Sequence, residues 1–291
     1  MAAILVMGNY NPLINYYLGA LGSRRKVDLS SIIGILIGVC AILGALLFES
    51  GSITTIIQPS AALVVIGGTL GAVLLNFSLP TVFSAMKSVG KVFFDDKEDT
   101  FIVVGQIIEA ARLARQSGLL ALQEIIPDID NKFLKRGMQL SLDINNPQLL
   151  HNILNTEIGL DEEQGVMNAR VFEATGGFAP TFGIVGAVIG LIQVMSNLQD
   201  PSQLGHGIAT AFVATLYGVG LANLVFLPIG GKLKMRLREE IILKEMIVQG
   251  LISIQLGENP AIIEEKLLTF LSFSTRQSRF LDQISENVSY D

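Results

Sequence analysis

The sequence predicts an all-α integral membrane protein: four transmembrane helices, a helical cytoplasmic domain between helices 2 and 3, and a helical C-terminal tail. Three observations carry that reading. Half of the 291 residues are hydrophobic and only 16% are charged, with a mean hydropathy of +0.54, too apolar for an ordinary soluble domain. Between Ala174 and Gly231 the only charged side chain is Asp200, in the turn sequence Gln199-Asp200-Pro201-Ser202. The apolar runs on either side are long enough to cross a bilayer of about 30 Å at about 1.5 Å per residue. Lastly, three of the 20 Lys/Arg precede the first apolar run, nine lie between the second and third, and eight follow the fourth, while residues 49–58 and 196–205 have none. Positive charge stays inside, which puts both termini and the middle domain in the cytoplasm.

The elements follow in order. Residues 1–27 read as an N-terminal extension: Asn9, Asn11, Pro12 and Asn15 interrupt the uncharged stretch, and Arg24-Arg25-Lys26 follow it, the reverse of a signal peptide. Val27-Asp28-Leu29 looks like a natural start of the chain, with the first 26 residues an extension added in annotation. Transmembrane helix 1 is placed at 28–50, on the uncharged run from Leu29 to Phe48, and helix 2 at 51–79, where Gly67, Gly68 and Gly71 are small residues that let backbones approach. A cytoplasmic domain occupies 80–173. Within it Phe101, Val104, Ile108 and Ala111 keep helical spacing, Gly118 stops that helix in the left-handed conformation, and Pro127 and Pro147 mark breaks. Asp161, Glu162 and Glu163 are expected in the first turn of a helix that runs without a loop into the third span. Helix 3 is assigned to 174–198, a periplasmic loop to 199–205, helix 4 to 206–230 and a cytoplasmic tail to 231–291. In the tail Glu240 and Lys244 make an i,i+4 pair and Asn259-Pro260 starts a helix.

Composition excludes several functions. A net charge of −6 without a basic stripe argues against nucleic acid. Cys40 is the single cysteine, so no intrachain disulfide or Cys-based metal site exists, and inside an apolar run it is expected to be buried and inert. His151, expected on a solvated surface, and His206, expected at the membrane interface, are the only histidines, and no Ser/His/Asp set or phosphate-binding loop appears. No catalytic residue, metal or cofactor is expected, and the chain does not read as an enzyme.

Ion movement through a bilayer needs an ionisable group at depth, yet Glu49, Asp200 and His206 all fall at the outer ends of the spans. The chain lacks a relay group of its own. What the spans offer is a polar lining: Pro180 and Thr181 in the third, Thr210, Thr215, Tyr217 and Asn223 in the fourth, with Pro228 near its inner end. Proline removes a backbone donor and marks a kink or hinge, although Pro228 is equally compatible with a helix end. A threonine in a membrane helix often bonds back to its own helix, so Thr210 and Thr215 have that plainer reading too. Gly183/Ala187 and Gly186/Gly190 read as packing pairs.

Gly177-Phe-Ala-Pro180-Thr-Phe-Gly-Ile-Val-Gly186, Ala214-Thr215-Leu-Tyr-Gly218 and Asn223-Leu-Val-Phe-Leu-Pro228 resemble the third and fourth spans of the MotA family of flagellar motor stator subunits (MotA/PomA type), and Ala114-Arg115-Gln-Ser-Gly118-Leu-Leu-Ala-Leu122 resembles its rotor-facing helix. The resemblance covers residues 28 to about 272. It implies several copies in a ring around a pair of MotB partners, each supplying the missing ion-binding aspartate from a single helix and anchored to peptidoglycan. It also implies a place in the bacterial cytoplasmic (inner) membrane. By position Pro180 and Pro228 match hinge prolines, Thr215 the threonine facing the ion path with Thr181 and Tyr217 lining it, and Arg115 the residue that meets the rotor protein FliG. The family's acidic rotor-facing position falls on Gln123, with Glu124 adjacent. Sodium-type relatives carry a threonine seven residues after the hinge proline, where this chain has Ala187, while Leu216-Tyr217-Gly218 and Ala222-Asn223 look like the sodium branch. Protons are the expected ion.

The main alternative is a proton-driven energiser of the ExbB/TolQ type, for which three spans and an outer N-terminus are expected. A stand-alone channel or transporter is the other, and it requires conduction without a partner.

Overall fold

A computed structural model describes residues 26–48, 56–95, 100–196 and 201–270. The extension up to Arg25, most of the first outer loop, the Gln199-Asp200 part of the second outer turn and the extreme tail therefore lie outside the described residues. The chain divides into two compact units. Because two long helices each contribute to both, a helix assigned to a unit below is only the part that belongs to it.

One unit holds residues 25–95 and 162–237. It begins with β1 (Lys26–Val27) and α1 (Leu29–Phe48). Asp28 caps α1 by accepting the Ser31 amide on Oδ1 at 3.2 Å. Then come α2 (Pro59–Asn76), α3 (Leu79–Ser88), α4 (Gly90–Phe93) and β2 (Phe94–Asp95). β1 and β2 pair antiparallel, Val27 opposite Phe94, so the start of α1 is tied to the end of α4. The unit also takes in most of α7 (Pro147–Ser196), all of α8 (Pro201–Leu221) and the start of α9 (Leu227–Gln255). Two π-helical turns interrupt regular winding, Leu63–Gly67 inside α2 and Ala222–Phe226 between α8 and α9.

Among the described residues three helical stretches are long and apolar enough to cross a membrane, Pro59–Asn76, Pro147–Ser196 and Leu204–Gln255, and Leu29–Ala45 is a shorter apolar stretch. Of the glycines in α2, a Cβ at Gly68 would collide with the Phe182 ring, while Gly67 and Gly71 face open space. Only one of the three expected small residues therefore serves a close approach.

The other unit holds residues 96–161 and 238 onward: α5 (Thr100–Ser117), 3₁₀ turns at Leu119–Glu124 and Ile126–Asp128, α6 (Lys132–Asp143), the beginning of α7, the end of α9, and α10 (Pro260–Leu268). Its caps follow from sequence. Asn131 accepts the Leu134 amide at 2.7 Å, Asn146 accepts the Gln148 amide at 2.9 Å ahead of Pro147, and Asn259 accepts the Ala261 amide at 3.1 Å ahead of Pro260. Gly118 does end α5 with positive φ, but at φ 84 and ψ 165 it is extended rather than left-handed helical, a region that glycine alone occupies freely. The core is aliphatic: Ile107, Leu134, Met138, Leu154, Met246 and Leu267 are all wholly buried.

Two expectations about charge and burial need correction. Asp161, Glu162 and Glu163 sit deep inside α7, which starts at Pro147, so they serve no helix N-terminus. Asp161 instead holds the Lys244 ammonium at 2.7 Å, with Glu240 on the other side at 3.1 Å and the Phe133 ring 5.7 Å below. Burial works against the Lys244 charge, but the bonds to Asp161 and Glu240 outweigh it and raise its pKa. Cys40 is exposed on the surface of this chain, not buried. An all-round apolar helix places some of its side chains outward wherever lipid or another subunit will cover them.

Candidate functional site

The site is the hairpin of α7 and α8, and small residues make it. A Cβ at Gly183 would lie 3.0 Å from the Ala214 carbonyl oxygen, one at Gly186 2.7 Å from the Ala214 Cβ, one at Gly190 2.9 Å from the Ala211 nitrogen, and one at Gly218 2.5 Å from the Ala179 carbonyl oxygen. These neighbours are backbone or methyl groups that cannot swing aside. Gly183, Gly186 and Gly190 on α7 thus interlock with Ala211, Ala214 and Gly218 on α8, backbone against backbone. Ala187, the fourth member of the expected pairs, is half-buried beside this seam.

With the contact face closed by small residues, polar side chains turn elsewhere. Thr181 is exposed and donates to the Phe178 carbonyl at 2.7 Å. Thr215 is exposed and donates to the Ala211 carbonyl at 3.3 Å. Asn223 is exposed and donates to the Val219 carbonyl at 2.9 Å, whereas Thr210 is buried, its hydroxyl on the His206 carbonyl at 2.9 Å. The donor of each is used within its own helix, as intrahelical back-bonding leads one to expect, but the hydroxyl oxygens of Thr181 and Thr215 keep acceptor capacity for a cation or a hydrated proton. The interlock sets Thr215 at the level of Gly183, whose Cβ would be 3.4 Å from the Thr215 Cα, so Thr181 and Thr215 occupy one stretch of the hairpin.

Tyr217 is half-buried and its hydroxyl points to the start of α2, donating to the Ile56 carbonyl at 2.5 Å and accepting the Gln58 amide at 3.4 Å. Pro180 is half-buried inside the continuous helix α7. Pro228 does not end a helix. It is exposed at the second residue of α9, directly after the Ala222–Phe226 π turn. A proline cannot donate to the carbonyl four residues back, and the wider turn takes up the irregularity: the Leu227 amide bonds the Ala222 carbonyl, five residues back. Leu224 of that turn fills the space above Gly38 of α1, where a Cβ would come within 2.6 Å of it.

Arg115, Gln123 and Glu124 belong to the other unit. Arg115 closes α5, Gln123 and Glu124 close the 3₁₀ turn after Gly118, and all three are exposed. That unit brings these three to one connection, as their closeness in sequence requires.

A charged cluster at the start of α1 was not anticipated. The Lys232 Nζ lies 2.5 Å and the Arg236 guanidinium 2.9 Å from Asp28 Oδ2, and all three side chains are nearly buried. The Lys232 bond, helped by Ser30, holds the Asp28 carboxyl well below the usual carboxylate range. A signal did exist, since Asp28 before Ser30 and Ser31 has the form of a helix cap. Its cationic partners, some 200 positions later, had none.

A seam of glycines closing an apolar hairpin, with Thr181 and Thr215 exposed off that seam, defines the class: a helical membrane protein whose long helices pack by close backbone approach. The model of the motility protein A N-terminal region matches residues 32–118, and that of the MotA/TolQ/ExbB proton channel family matches residues 126–246. The chain is 33% identical over 250 residues to the chemotaxis protein PomA of Vibrio alginolyticus, covering 86% of this chain and 98% of that one. It is 34% identical over 260 residues to motility protein A of Bacillus subtilis, covering 86% and 93%. The structure superposes on the flagellar MotAB stator complex from Bacillus subtilis with a TM-score of 0.80 at 33% identity, covering 86% of this chain and 99% of that one. The chain belongs to the MotA/PomA motility protein family.

Proposed function

We propose that the chain is the ring-forming subunit of an ion-driven flagellar motor stator, embedded in the bacterial inner membrane by four spans with both termini in the cytoplasm. Copies of it surround MotB-type helices that bring the ion-binding aspartate. The observation that carries this reading is the hairpin itself: its seam is consumed by Gly183, Gly186, Gly190 and Gly218, while Thr181 and Thr215 stand exposed on a surface with no carboxylate of its own. A wall of this kind needs a partner's acid to complete it. Family membership over both halves of the chain supports the stator reading over an ExbB/TolQ-type energiser, because the N-terminal match at 32–118 is to a motility protein.

In this reading loading of the partner's aspartate changes the packing around Pro180 and Thr215. Pro228 and the π turn before it are the second hinge, and Arg115 with Gln123 and Glu124 passes the motion to FliG. Protons are the driving ion. The test is Thr215→Val, which keeps shape and removes the hydroxyl, expressed in a strain lacking its own stator. Swimming is expected to fall about tenfold or more with normal assembly in the membrane, and undiminished swimming would reject the ion-path role. Swimming that stops in sodium-free medium would reassign the ion.

A further inference from the structure

The residues just before α2 pose a hydrogen-bonding problem. Ile56 to Gln58 are not helical, yet Ile56 packs against the apolar cluster of Ala61, Val65, Val213 and Ala214. A backbone group left unpaired in such surroundings is strongly disfavoured, because no water is there to bond it. The usual local remedy for the Ile56 carbonyl is a turn closed by the amide three residues on, but residue 59 is proline and has none. Local bonding resumes only when the Ala62 amide reaches the Gln58 carbonyl at 3.0 Å. Into this gap α8 places Tyr217, whose hydroxyl is donor and acceptor at once. It gives its proton to the Ile56 carbonyl at 2.5 Å and receives the Gln58 amide at 3.4 Å.

We propose that Tyr217 is a positioning residue: by clamping the non-helical residues before α2 to the back of α8, it fixes the direction in which Thr215 faces the ion path. The step from clamp to ion path rests on the function proposed above. Two residues on an α-helix are about 200° apart, so a hydroxyl held at the back at Tyr217 leaves Thr215 directed to the opposite side. Rotation of α8 that turned Thr215 away would have to break the bond to Ile56. The ring also fills space between Ile56 and Leu221 in the same cluster, so Tyr217→Phe keeps the packing and deletes only the clamp.

Three measurements on the complete stator test this. Amide hydrogen exchange at Gln58 is expected to quicken about tenfold in Tyr217→Phe. Unchanged exchange there overturns the clamp. Adding Pro59→Ala to Tyr217→Phe supplies a donor for the Ile56 carbonyl but no acceptor for the Gln58 amide, so the thermal midpoint lost in Tyr217→Phe is expected to recover in part while Gln58 exchange stays fast, and no recovery overturns the hydrogen-bonding account. Swimming speed against ion activity separates positioning from mere support: Tyr217→Phe should raise the ion activity for half-maximal speed, whereas a fall in maximal speed alone means fewer assembled units and overturns the positioning role. Altered exchange together with full swimming in Thr215→Val keeps the clamp and removes the ion-path reading.

Discussion

Each of the two units packs its own interior, and by opposite means. Among the described residues, every large side chain that is wholly buried, Ile107 and Leu122 through Ile263 and Leu267, belongs to the unit of residues 96–161 and 238 onward. In the membrane unit the buried residues are chiefly Ala, Val and Gly, and large side chains such as Leu75, Ile184, Phe212 and Met195 are exposed. In water, burying a leucine is the main stabilising step. In lipid a leucine gains little by leaving the surface, so association rests on close backbone approach instead. The comparison shows why the same substitution has different consequences in the two places.

The largest effect is expected where nothing can yield. Gly218→Leu sets a side chain against the Ala179 carbonyl oxygen, and the amount of assembled complex recovered by gel filtration should fall about tenfold or more. Gly220→Ala, where nothing lies within 4 Å, should leave recovery unchanged, and equal losses would dissolve the contrast. Next, Leu251→Ala in the aliphatic core should cost about 2–5 kcal/mol in denaturant unfolding of the full chain in detergent, with motility lost only through lower abundance.

A smaller effect is expected at the charged cluster. Asp28→Asn should lower the thermal midpoint by removing the partner of Lys232 and Arg236. Because the folded carboxyl is held low, the stability it adds is whole above the ordinary aspartate value of about 3.9 and is lost as pH falls through the lower folded value. The gap between wild type and variant should therefore stay constant from neutral pH down to about 3.9 and close progressively in stronger acid. Smallest of all, Lys244→Met faces carboxylates that remain partly exposed, and a double-mutant cycle with Asp161→Asn should return about 1 kcal/mol or less.

Much of this was legible in the chain. The apolar run from Leu29 to Phe48 is the helix α1, and Asn259-Pro260 starts α10 with the expected cap, because both depend on neighbours in sequence. The identities of partners were not. Nothing near Gly68 distinguishes it from Gly67 or Gly71 until Phe182 arrives from α7. Likewise Asp161 to Glu163 look like a helix start until the true start at Pro147 is known. Thr215 could be singled out as polar within an apolar run, but the hydroxyl of Tyr217 finds its acceptor at Ile56, more than 150 positions earlier.

The π turn at Ala222–Phe226 has a further consequence for how the chain tolerates change. Its backbone spans five residues where an α-turn spans four, so it works as a one-residue phase shift between α8 and α9, worth about 100° of rotation. Any pattern of faces counted straight through it, from the glycine seam down to Lys232 and Arg236, lands on the wrong side of the helix. Deleting a single residue there would leave both flanking helices intact and swing the cations that hold Asp28 a quarter-turn out of reach.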